Sequence, residues 1–414
     1  MIELRSIPRR LHLEAGTLQR ALEQLLGPAV EPAPQNRTKL LNPTTHPVSV
    51  TVHQGASRRS VEELAKNGFV HFHRFSVLPS CKAPRWLLPL GDTHQMLVGS
   101  QICAPHAPTS RLLKAVFLRV IKAGWRGWGC GQLLVASKGP LPLELMVRDV
   151  TGEPEPTFAM SLGFAGNFRK LTVQVMRPNS EILGYIKLPL TEAATERVRH
   201  EAAILERLWN FAPVRPHIPK VLYASEWAHG FLLFQSTGPR RLGPVEFGRL
   251  HEAFLRTLWG VYRTEKPGHT LVEEVAARWQ KSVSLMDAEL PELGKKALER
   301  ASRELDGLMI PCGITHGDFA PWNTRVEAER LFVFDWESAA WDAPILWDKF
   351  HFHVQVASLL NKNSRRAFPS SQTRIDRASF LLYLLSSVRQ YLEEGVTRHP
   401  GIEYRKHILL RELS

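Results

Sequence analysis

One polar segment in the second half of the chain combines the residue types that phosphoryl transfer requires. It contains His316, Asp318 and Asn323 on a stretch interrupted by glycine and proline, and Asp335 follows a short apolar run. Asp318 can accept or orient the proton of an attacking hydroxyl group. Asn323 offers an amide oxygen and Asp335 a carboxylate, which are ligands that suit Mg²⁺. A loop with a base and an amide, then a strand ending in a carboxylate, is the layout of a kinase active site.

Three further polar residues support this segment. His316 precedes the working residues of the loop, so we interpret it as a structural hydrogen-bonding group rather than a proton carrier, and we keep it as a candidate catalytic residue beside Asp318. A histidine satisfied in the core is compatible with that role. Asp342 and Asp348 lie at the edge of the next predicted helix, and we interpret them as carboxylates that anchor the loop.

A β-rich region precedes this segment and must position its partners. Residues 158–162 and 171–176 are predicted to form two strands. Gly163 and Gly166 lie between them, and glycines at such a turn let the backbone approach a phosphate closely. A plain hairpin with a bulge explains the same pattern equally well.

A lysine and a glutamate follow the glycine turn. Lys187 lies inside the apolar run of a third predicted strand, 182–188, where it either extends along an edge towards water or reaches the phosphates of a ligand. Glu201 lies close to the apolar stripe of an amphipathic helix predicted over 191–209. A carboxylate there requires a buried cation, and Lys187 is the obvious partner; a solvated glutamate is the alternative.

Helical spacing dominates after a further strand at 231–234, which runs into Gln235. At Gln235 the chain is predicted to pass from a β-rich lobe to a helical one. The predicted helices cover 245–262, 271–285, 293–308, 346–360 and 379–394. We therefore divide the chain into an N-terminal extension at 1–150 (of which 1–57 is partly linker-like), a β-rich lobe at 151–238 and a helical lobe at 239–414.

Composition favours a packed globular protein. The 414 residues are 44% hydrophobic and 22% charged, and no segment has the roughly 20 consecutive apolar residues that span a bilayer. The first ten residues lack the apolar core of a signal peptide. The four cysteines form no CxxC pair, so neither a zinc site nor a disulfide framework is expected. We expect a cytoplasmic protein without a transmembrane segment.

The net charge of +13 is concentrated in the first third of the chain. Residues 1–156 contain 19 Lys and Arg against 11 Asp and Glu, which gives +8. A solvated basic surface is the preferred interpretation, and an anionic lipid surface, a phosphate-rich ligand or a nucleic acid are the alternatives. A nucleic acid is disfavoured because no dense basic run with interleaved aromatic residues occurs.

These motifs resemble those of the aminoglycoside phosphotransferase and choline kinase-like enzymes. The catalytic and metal-binding motifs match His316-Gly317-Asp318 with Asn323, followed by Asp335. In the same comparison Lys187 matches the lysine that contacts phosphate, and Glu201 matches its helix partner. The segment from Trp341 to Asp348 is similar to the family's Gly-Asp-Pro-x-x-Asp motif, but it has an inserted Ala343 and a longer final gap. The glycine turn also departs from a full GxGxxG.

The resemblance implies an α+β fold of the two-lobed protein-kinase-like class, with a β-rich N-lobe and a helical C-lobe, to which this chain adds an N-terminal α/β module. It implies transfer of the γ-phosphate of ATP to a hydroxyl of a small molecule that is aminoglycoside-, sugar- or amino-alcohol-like. Asp318 would be the base, and Mg²⁺ would be held by Asn323 and Asp335. The residues that would bind the cofactor ATP are Lys187, Glu201, Gly163, Gly166 and Gln235.

Two other functions compete with an active small-molecule kinase. The irregular glycine turn and the large extension favour a catalytically weak, nucleotide-binding scaffold or regulator. The basic first third favours a nucleic-acid-binding protein or a kinase that acts on RNA. The kinase interpretation is preferred because every charged group that phosphoryl transfer needs is present.

Overall fold

The computed structural model describes most of the chain from residue 58 onward and short pieces before it. The described residues are 20–21, 30–32, 38–41, 47–54, 58–80, 83–103, 108–125, 131–163, 165–228, 230–360, 373–395 and 399–414. Most of the predicted linker-like region 1–57 and residue 164 of the glycine turn lie outside them. The chain divides into a β-rich unit, Met1–Ala202 with Val221–Thr237, and a helical unit, Ala203–Lys220 with Gly238–Ser414.

The described strands of the β-rich unit form one antiparallel sheet, in the order β1-β2-β3-β6-β4-β5-β7-β8-β9-β11-β10. Strands β1 and β2 fall in the region whose prolines predict a linker. The strands are β1 (Val30–Pro32), β2 (Thr38–Leu41), β3 (Pro47–Gln54), β4 (His71–Ser80), β5 (Ala83–Pro89), β6 (Gly131–Ser137), β7 (Thr157–Ser161), β8 (Lys170–Met176), β9 (Ile182–Pro189), β10 (Val221–Trp227) and β11 (Gly230–Ser236).

Helices connect these strands, and the longest of them contains Glu201. They are α1 (Arg58–Lys66), α2 (Thr93–Gly99), α3 (Pro108–Lys122), α4 (Pro142–Thr151) and α5 (Glu192–Trp209). Gly152, with φ of +72°, ends α4 in the left-handed conformation that glycine adopts readily.

The N-terminal extension and the predicted N-lobe share their sheet. Strand β5 of the extension pairs with β7 through Trp86 opposite Ser161 and Leu87 opposite Met160. At β5 the sheet is buried on both faces, because Leu87 packs into one apolar cluster and the neighbouring Leu88 into another on the opposite side. The extension therefore continues the sheet of the region that carries Lys187.

The helical unit contains the remaining helices and two small antiparallel sheets, β12-β15-β16 and β13-β14-β17. The predicted helices occur within a few residues of the expected positions, whereas α11 and the strands β12, β13, β14, β15 and β17 escaped sequence analysis. The elements are α6 (Arg249–Val261), α7 (Gly268–Lys281), α8 (Leu290–Leu305), α9 (Trp347–Leu360), α10 (Arg374–Glu393), α11 (Pro400–Leu413), β12 (Arg241–Leu242), β13 (Arg263–Pro267), β14 (Met309–Thr315), β15 (Thr324–Glu327), β16 (Arg330–Val333) and β17 (Ala340–Pro344).

An aromatic cluster lies beneath the polar segment of the helical unit. Phe319, which follows Asp318, is fully buried and stacks on Phe254 of α6 with ring centroids 5.7 Å apart. His251 contacts Phe319 and, at 4.6 Å, Phe352. The apolar residue beside the candidate base thus fixes the loop to two helices. Among the described residues, no helix is both long and apolar enough to cross a bilayer.

Burial of His251 makes the stability of this cluster depend on pH. Its side chain is 1% exposed, its Nδ1 accepts a hydrogen bond from the backbone N–H of Gly248 at 3.1 Å, and burial lowers its pKa to about 4. The unfolded chain binds this proton at the ordinary value of about 6.5, so protons stabilise the unfolded state as the pH falls from 6.5 to 4.

We predict that the His251→Asn variant, which keeps an acceptor for the N–H of Gly248, loses less unfolding free energy between pH 6.5 and pH 4 than the wild type does. The difference is on the order of 3 kcal/mol for a shift of this size. Denaturant titrations at several pH values measure it. Burial also lowers the pKa of His353 to about 4, so the His251→Asn variant should still lose some unfolding free energy as the pH falls. The exposed His269→Asn is the control, and equal slopes in His251→Asn and wild type would contradict the assignment.

Candidate active site

His316 fixes the start of the polar loop at the end of β14. Its ring is fully buried. Nε2 donates to the carbonyl of Phe334 at 3.0 Å, and Nδ1 accepts from the backbone N–H of Asp318 at 3.2 Å. Each nitrogen has one partner, which defines a neutral imidazole with its proton on Nε2. This geometry agrees with the structural role that the sequence predicts for His316.

Gly317 can be replaced by no other residue without strain. Its φ is +78°, and a Cβ atom added to it would lie 2.0 Å from the carbonyl oxygen of Ser338. Both the backbone conformation and the lack of space therefore require glycine at this position.

Asp348 holds the backbone of the same loop from α9. Its carboxylate accepts hydrogen bonds from the N–H groups of His316 at 2.7 Å and Gly317 at 2.9 Å. The residue is 1% exposed, and burial raises the pKa of its carboxyl group, while the backbone donors favour its ionised form. The predicted anchoring role is confirmed for Asp348. It is wrong for Asp342, which lies in β17 and whose carboxylate pairs with Lys266 at 3.2 Å instead of with the loop backbone.

Asn323 orients Asp318. The amide nitrogen of Asn323 donates to the Asp318 backbone carbonyl at 2.9 Å and to Oδ2 of its carboxylate at 2.8 Å. A short 3-10 turn, Pro321–Asn323, brings the two side chains together. Because the nitrogen is used for Asp318, the amide oxygen of Asn323 is the atom suited to a metal ion.

Asp335 follows β16 in an uncommon backbone conformation. Its φ is +72°, which few residues other than glycine adopt, and such conformations concentrate at functional sites. Its neighbour Trp336 is fully buried, donates from Nε1 to the Val333 carbonyl at 3.0 Å, and packs edge-on against the ring of His316 at 4.7 Å. Trp336 thus fixes the segment that carries the candidate metal ligand.

The predicted pair of Lys187 and Glu201 forms in the β-rich unit. Lys187 Nζ lies 2.6 Å from Oε1 and 2.5 Å from Oε2 of Glu201, and the two residues are 5% and 0% exposed. Removal of one partner from such a buried pair is strongly destabilising, because it leaves an uncompensated charge. The solvated glutamate that the sequence left open is therefore excluded.

The other candidate nucleotide-binding residues also lie in the β-rich unit. Gly163 has φ of +64°, and a Cβ atom there would lie 2.8 Å from the Lys170 carbonyl oxygen. Gly166 has φ of +155°. Gln235 is 4% exposed, and its Oε1 is buried without a hydrogen-bond partner among the described residues. Phosphate binding by Gly163 and Gly166 therefore stays a prediction.

A cavity of about 390 Å³ opens beside the polar loop within the helical unit. Gly317 and Asp348 line it on the loop side, and Tyr383 lines it from α10. Charged groups of both signs complete the lining, and Lys266 contacts Glu274 at 3.0 Å as well as Asp342. Besides Asp348, the charged lining residues are Lys266, Glu274, Arg278, Asp342 and Arg389.

Comparison with known proteins matches residues 164–346 to the model of the phosphotransferase enzyme family. Residues 164–346 are therefore similar to the phosphotransferase enzyme family. The match confirms the resemblance drawn from the sequence motifs and the predicted enzyme class. The β-rich unit and the helical unit confirm the predicted α+β class. The segment includes Lys187, Glu201 and all of His316, Asp318, Asn323 and Asp335.

Solved structures that are similar to this chain include aminoglycoside phosphotransferases and an ethanolamine kinase. A thermostable mutant of aminoglycoside phosphotransferase APH(4)-Ia is 14% identical, with a TM-score of 0.47, and the alignment covers 65% of this chain and 98% of that one. The GDP complex of aminoglycoside 2'-phosphotransferase-IIIa is 14% identical, with a TM-score of 0.42, covering 65% and 96%. Plasmodium vivax ethanolamine kinase is 12% identical, with a TM-score of 0.45, covering 65% and 85%. No curated protein sequence matches this chain.

One residue that contacts the candidate base escaped sequence analysis. It lies beyond the matched segment 164–346. His351 is 4% exposed, and its Nε2 lies 2.9 Å from Oδ1 of Asp318. A carboxylate only accepts, so Nε2 carries the proton and donates it. The hydroxyl of Tyr383 lies 3.3 Å from Nδ1 of His351, and the amide nitrogen of Gln355 lies 3.0 Å from its Nε2. Spacing offered a signal, because His351 follows Asp348 by three residues on a helix and so shares its face.

We predict that His351, which lies outside the matched segment 164–346, positions Asp318 inside it. His351→Leu should lower kcat roughly 10- to 100-fold, the worth of a hydrogen bond to a charged group, and leave KM for ATP unchanged. His351→Gln retains an N–H donor and should recover part of kcat. Steady-state kinetics and thermal unfolding of both variants measure this.

The matched control is His353→Leu, whose ring packs against Phe247 at 5.2 Å. It should lose stability without the selective loss of kcat. If His351→Leu and His351→Gln had the same kcat as the wild type, the positioning role of His351 would be refuted.

Proposed function

We propose that this protein transfers the γ-phosphate of ATP to a hydroxyl group of a small molecule, with Asp318 as the base. The observation that supports this most directly is the fixation of the Asp318 carboxylate, whose Oδ2 accepts from Asn323 and whose Oδ1 accepts from His351. A carboxylate oriented in this way can receive or direct the proton of an attacking hydroxyl. The phosphotransferase family match gives the reaction class.

The helical unit has suitable donors for Mg²⁺. Asn323 directs its amide nitrogen to Asp318, which leaves its oxygen as a neutral donor, and Asp335 supplies a carboxylate from a left-handed position. Mg²⁺ accepts one or two carboxylates together with phosphate oxygens and water, so these two residues fit it. The bound ion would neutralise charge that develops on the phosphates. Asn323 and Asp335 would hold it, and Asp318 would direct the acceptor hydroxyl.

Lys187 is proposed to contact the phosphates of ATP. Both carboxylate oxygens of Glu201 lie within hydrogen-bonding distance of its ammonium, which holds the long lysine side chain in one conformation inside the sheet. A preoriented ammonium loses little entropy when it binds a phosphate oxygen. Gln235 is proposed to accept a hydrogen bond from the nucleotide, because its buried Oε1 has no hydrogen-bond partner among the described residues.

The acceptor is proposed to enter the cavity beside the loop. Its volume of about 390 Å³ lies at the lower end of the range for small-molecule sites. Gly317 and His351, which line it, place it next to Asp318. Its lining contains both cations and carboxylates, so it suits a polar, hydroxylated compound such as a sugar, an amino alcohol or an aminoglycoside.

We predict that Asp318→Asn retains binding of Mg²⁺-ATP and loses phosphoryl transfer by about 10²–10⁴-fold, because the base alone is removed. Asp335→Asn should instead raise the Mg²⁺ concentration needed for nucleotide binding. Calorimetric titration of ATP at several Mg²⁺ concentrations, together with ADP release, separates the two effects. Glu329→Gln, an exposed carboxylate at the β15–β16 turn, is the control. Normal turnover by Asp318→Asn would remove Asp318 from the proposed role.

We also predict that Ser386→Trp, which fills the cavity from α10, abolishes ADP release that depends on the acceptor. Ser386 lines the cavity, and an indole would occupy space that the acceptor needs. Slow ATP hydrolysis in the absence of acceptor should persist, because the polar loop is untouched. A panel of hydroxylated compounds supplies the acceptor. Arg377→Trp, at an exposed position of the same helix, is the control, and an active Ser386→Trp would place the acceptor elsewhere.

A further inference from the structure

Helix α3 presents an apolar stripe to the outside of the β-rich unit. Its exposed fractions are 66% for Leu112, 70% for Leu113, 47% for Val116 and 41% for Val120. These positions lie on one side of the helix, since 112, 116 and 120 are each one turn apart. Of the ten large apolar side chains that are exposed among the described residues, four are therefore on this one helix.

The opposite side of α3 is packed. Ile121 is fully buried, and Phe117 packs against the apolar cluster that contains Leu88 and Val98. Phe117 also contacts the ring of Trp125 edge-on at 5.5 Å. Lys114 donates to the backbone carbonyl of Cys103. The helix is thus held on the sheet, and the exposed stripe is a fixed surface of the folded unit.

Basic side chains flank the stripe on one side. Residues 108–122 contain four Lys and Arg and no Asp or Glu. Three of them, Arg111, Arg119 and Lys122, are exposed and follow one another along the helix face next to the stripe. The outward surface of α3 therefore combines aliphatic and cationic groups side by side, within the part of the chain that carries most of the excess positive charge.

We propose that the outward face of α3 docks on a membrane that contains anionic lipid. A bilayer surface offers phosphate groups and acyl chains at neighbouring depths, which matches a stripe of leucine and valine beside arginine and lysine. A nucleic acid offers no counterpart for four exposed aliphatic side chains, since its backbone is bound by charge and its bases by aromatic stacking. This inference concerns a surface other than the phosphoryl-transfer site and does not depend on the proposed function.

Binding of the full chain to vesicles tests the proposal. Large unilamellar vesicles of phosphatidylcholine alone and with about one third phosphatidylserine are pelleted with the protein, at low and at physiological salt. We expect cosedimentation with the anionic vesicles, weakened by salt, and little with the neutral ones. Leu112→Gln/Leu113→Gln should weaken partitioning about 100-fold or more, because two leucine side chains no longer enter the acyl region. Arg111→Gln/Arg119→Gln should weaken it about 30-fold, because two cations that attract anionic lipid are removed.

Both leucines are exposed, so the double variant should fold, and circular dichroism with ATP binding checks this. Leu285→Gln/Leu410→Gln, two exposed leucines of the helical unit, is the matched control and should bind vesicles as the wild type does. Absence of binding to anionic vesicles would overturn the proposal, as would equal binding by the Leu112→Gln/Leu113→Gln variant. Salt-dependent binding to an unrelated oligonucleotide without vesicle binding would assign the surface to nucleic acid instead.

Discussion

The polar loop of the helical unit depends on one buried carboxylate. The Asp348 carboxylate accepts hydrogen bonds from the backbone N–H groups of two successive loop residues. Because the residue is only 1% exposed, bulk water does not compete for these hydrogen bonds. These hydrogen bonds stabilise Gly317 at its positive φ, and so they fix the direction in which the side chain of the next residue, Asp318, extends from the loop. A hydrogen bond to a charged group in such surroundings is stronger than a neutral one. Helix α9, which carries Asp348, therefore determines the geometry of the candidate base as much as the loop does.

The same helix supplies the second contact to the base. His351 and Asn323 each hold one oxygen of the Asp318 carboxylate, so its rotation is restricted from both sides. Below the loop, Phe319 is packed between aromatic residues of two helices. Polar contacts above and apolar contacts below thus position one carboxylate, which is the preorganisation that proton transfer from an acceptor hydroxyl requires.

Local spacing allowed much of the site to be predicted. Asp318 and Asn323 are five residues apart on one loop. The pairing of Lys187 with Glu201 was predicted because one charge lies in an apolar strand and the other lies beside an apolar helix face. His351 was missed because its contact with Asp318 depends on how α9 packs, 33 residues further along the chain. The helices of the helical unit were predicted from periodicity, and the α+β class was implied by the family resemblance. The pairing of β5 with β7 was not, because strand neighbours distant in sequence leave no local pattern.

The transfer of a labelled phosphate tests the central claim most directly. The protein is incubated with Mg²⁺, ATP labelled in the γ-phosphate and a panel of hydroxylated small molecules, and the products are separated. The account predicts label in a phosphomonoester of at least one acceptor, formed in step with ADP and only in the presence of Mg²⁺. Tight nucleotide binding with all label retained in ATP, across the full panel, would contradict it and indicate a protein that binds nucleotide without transferring phosphate.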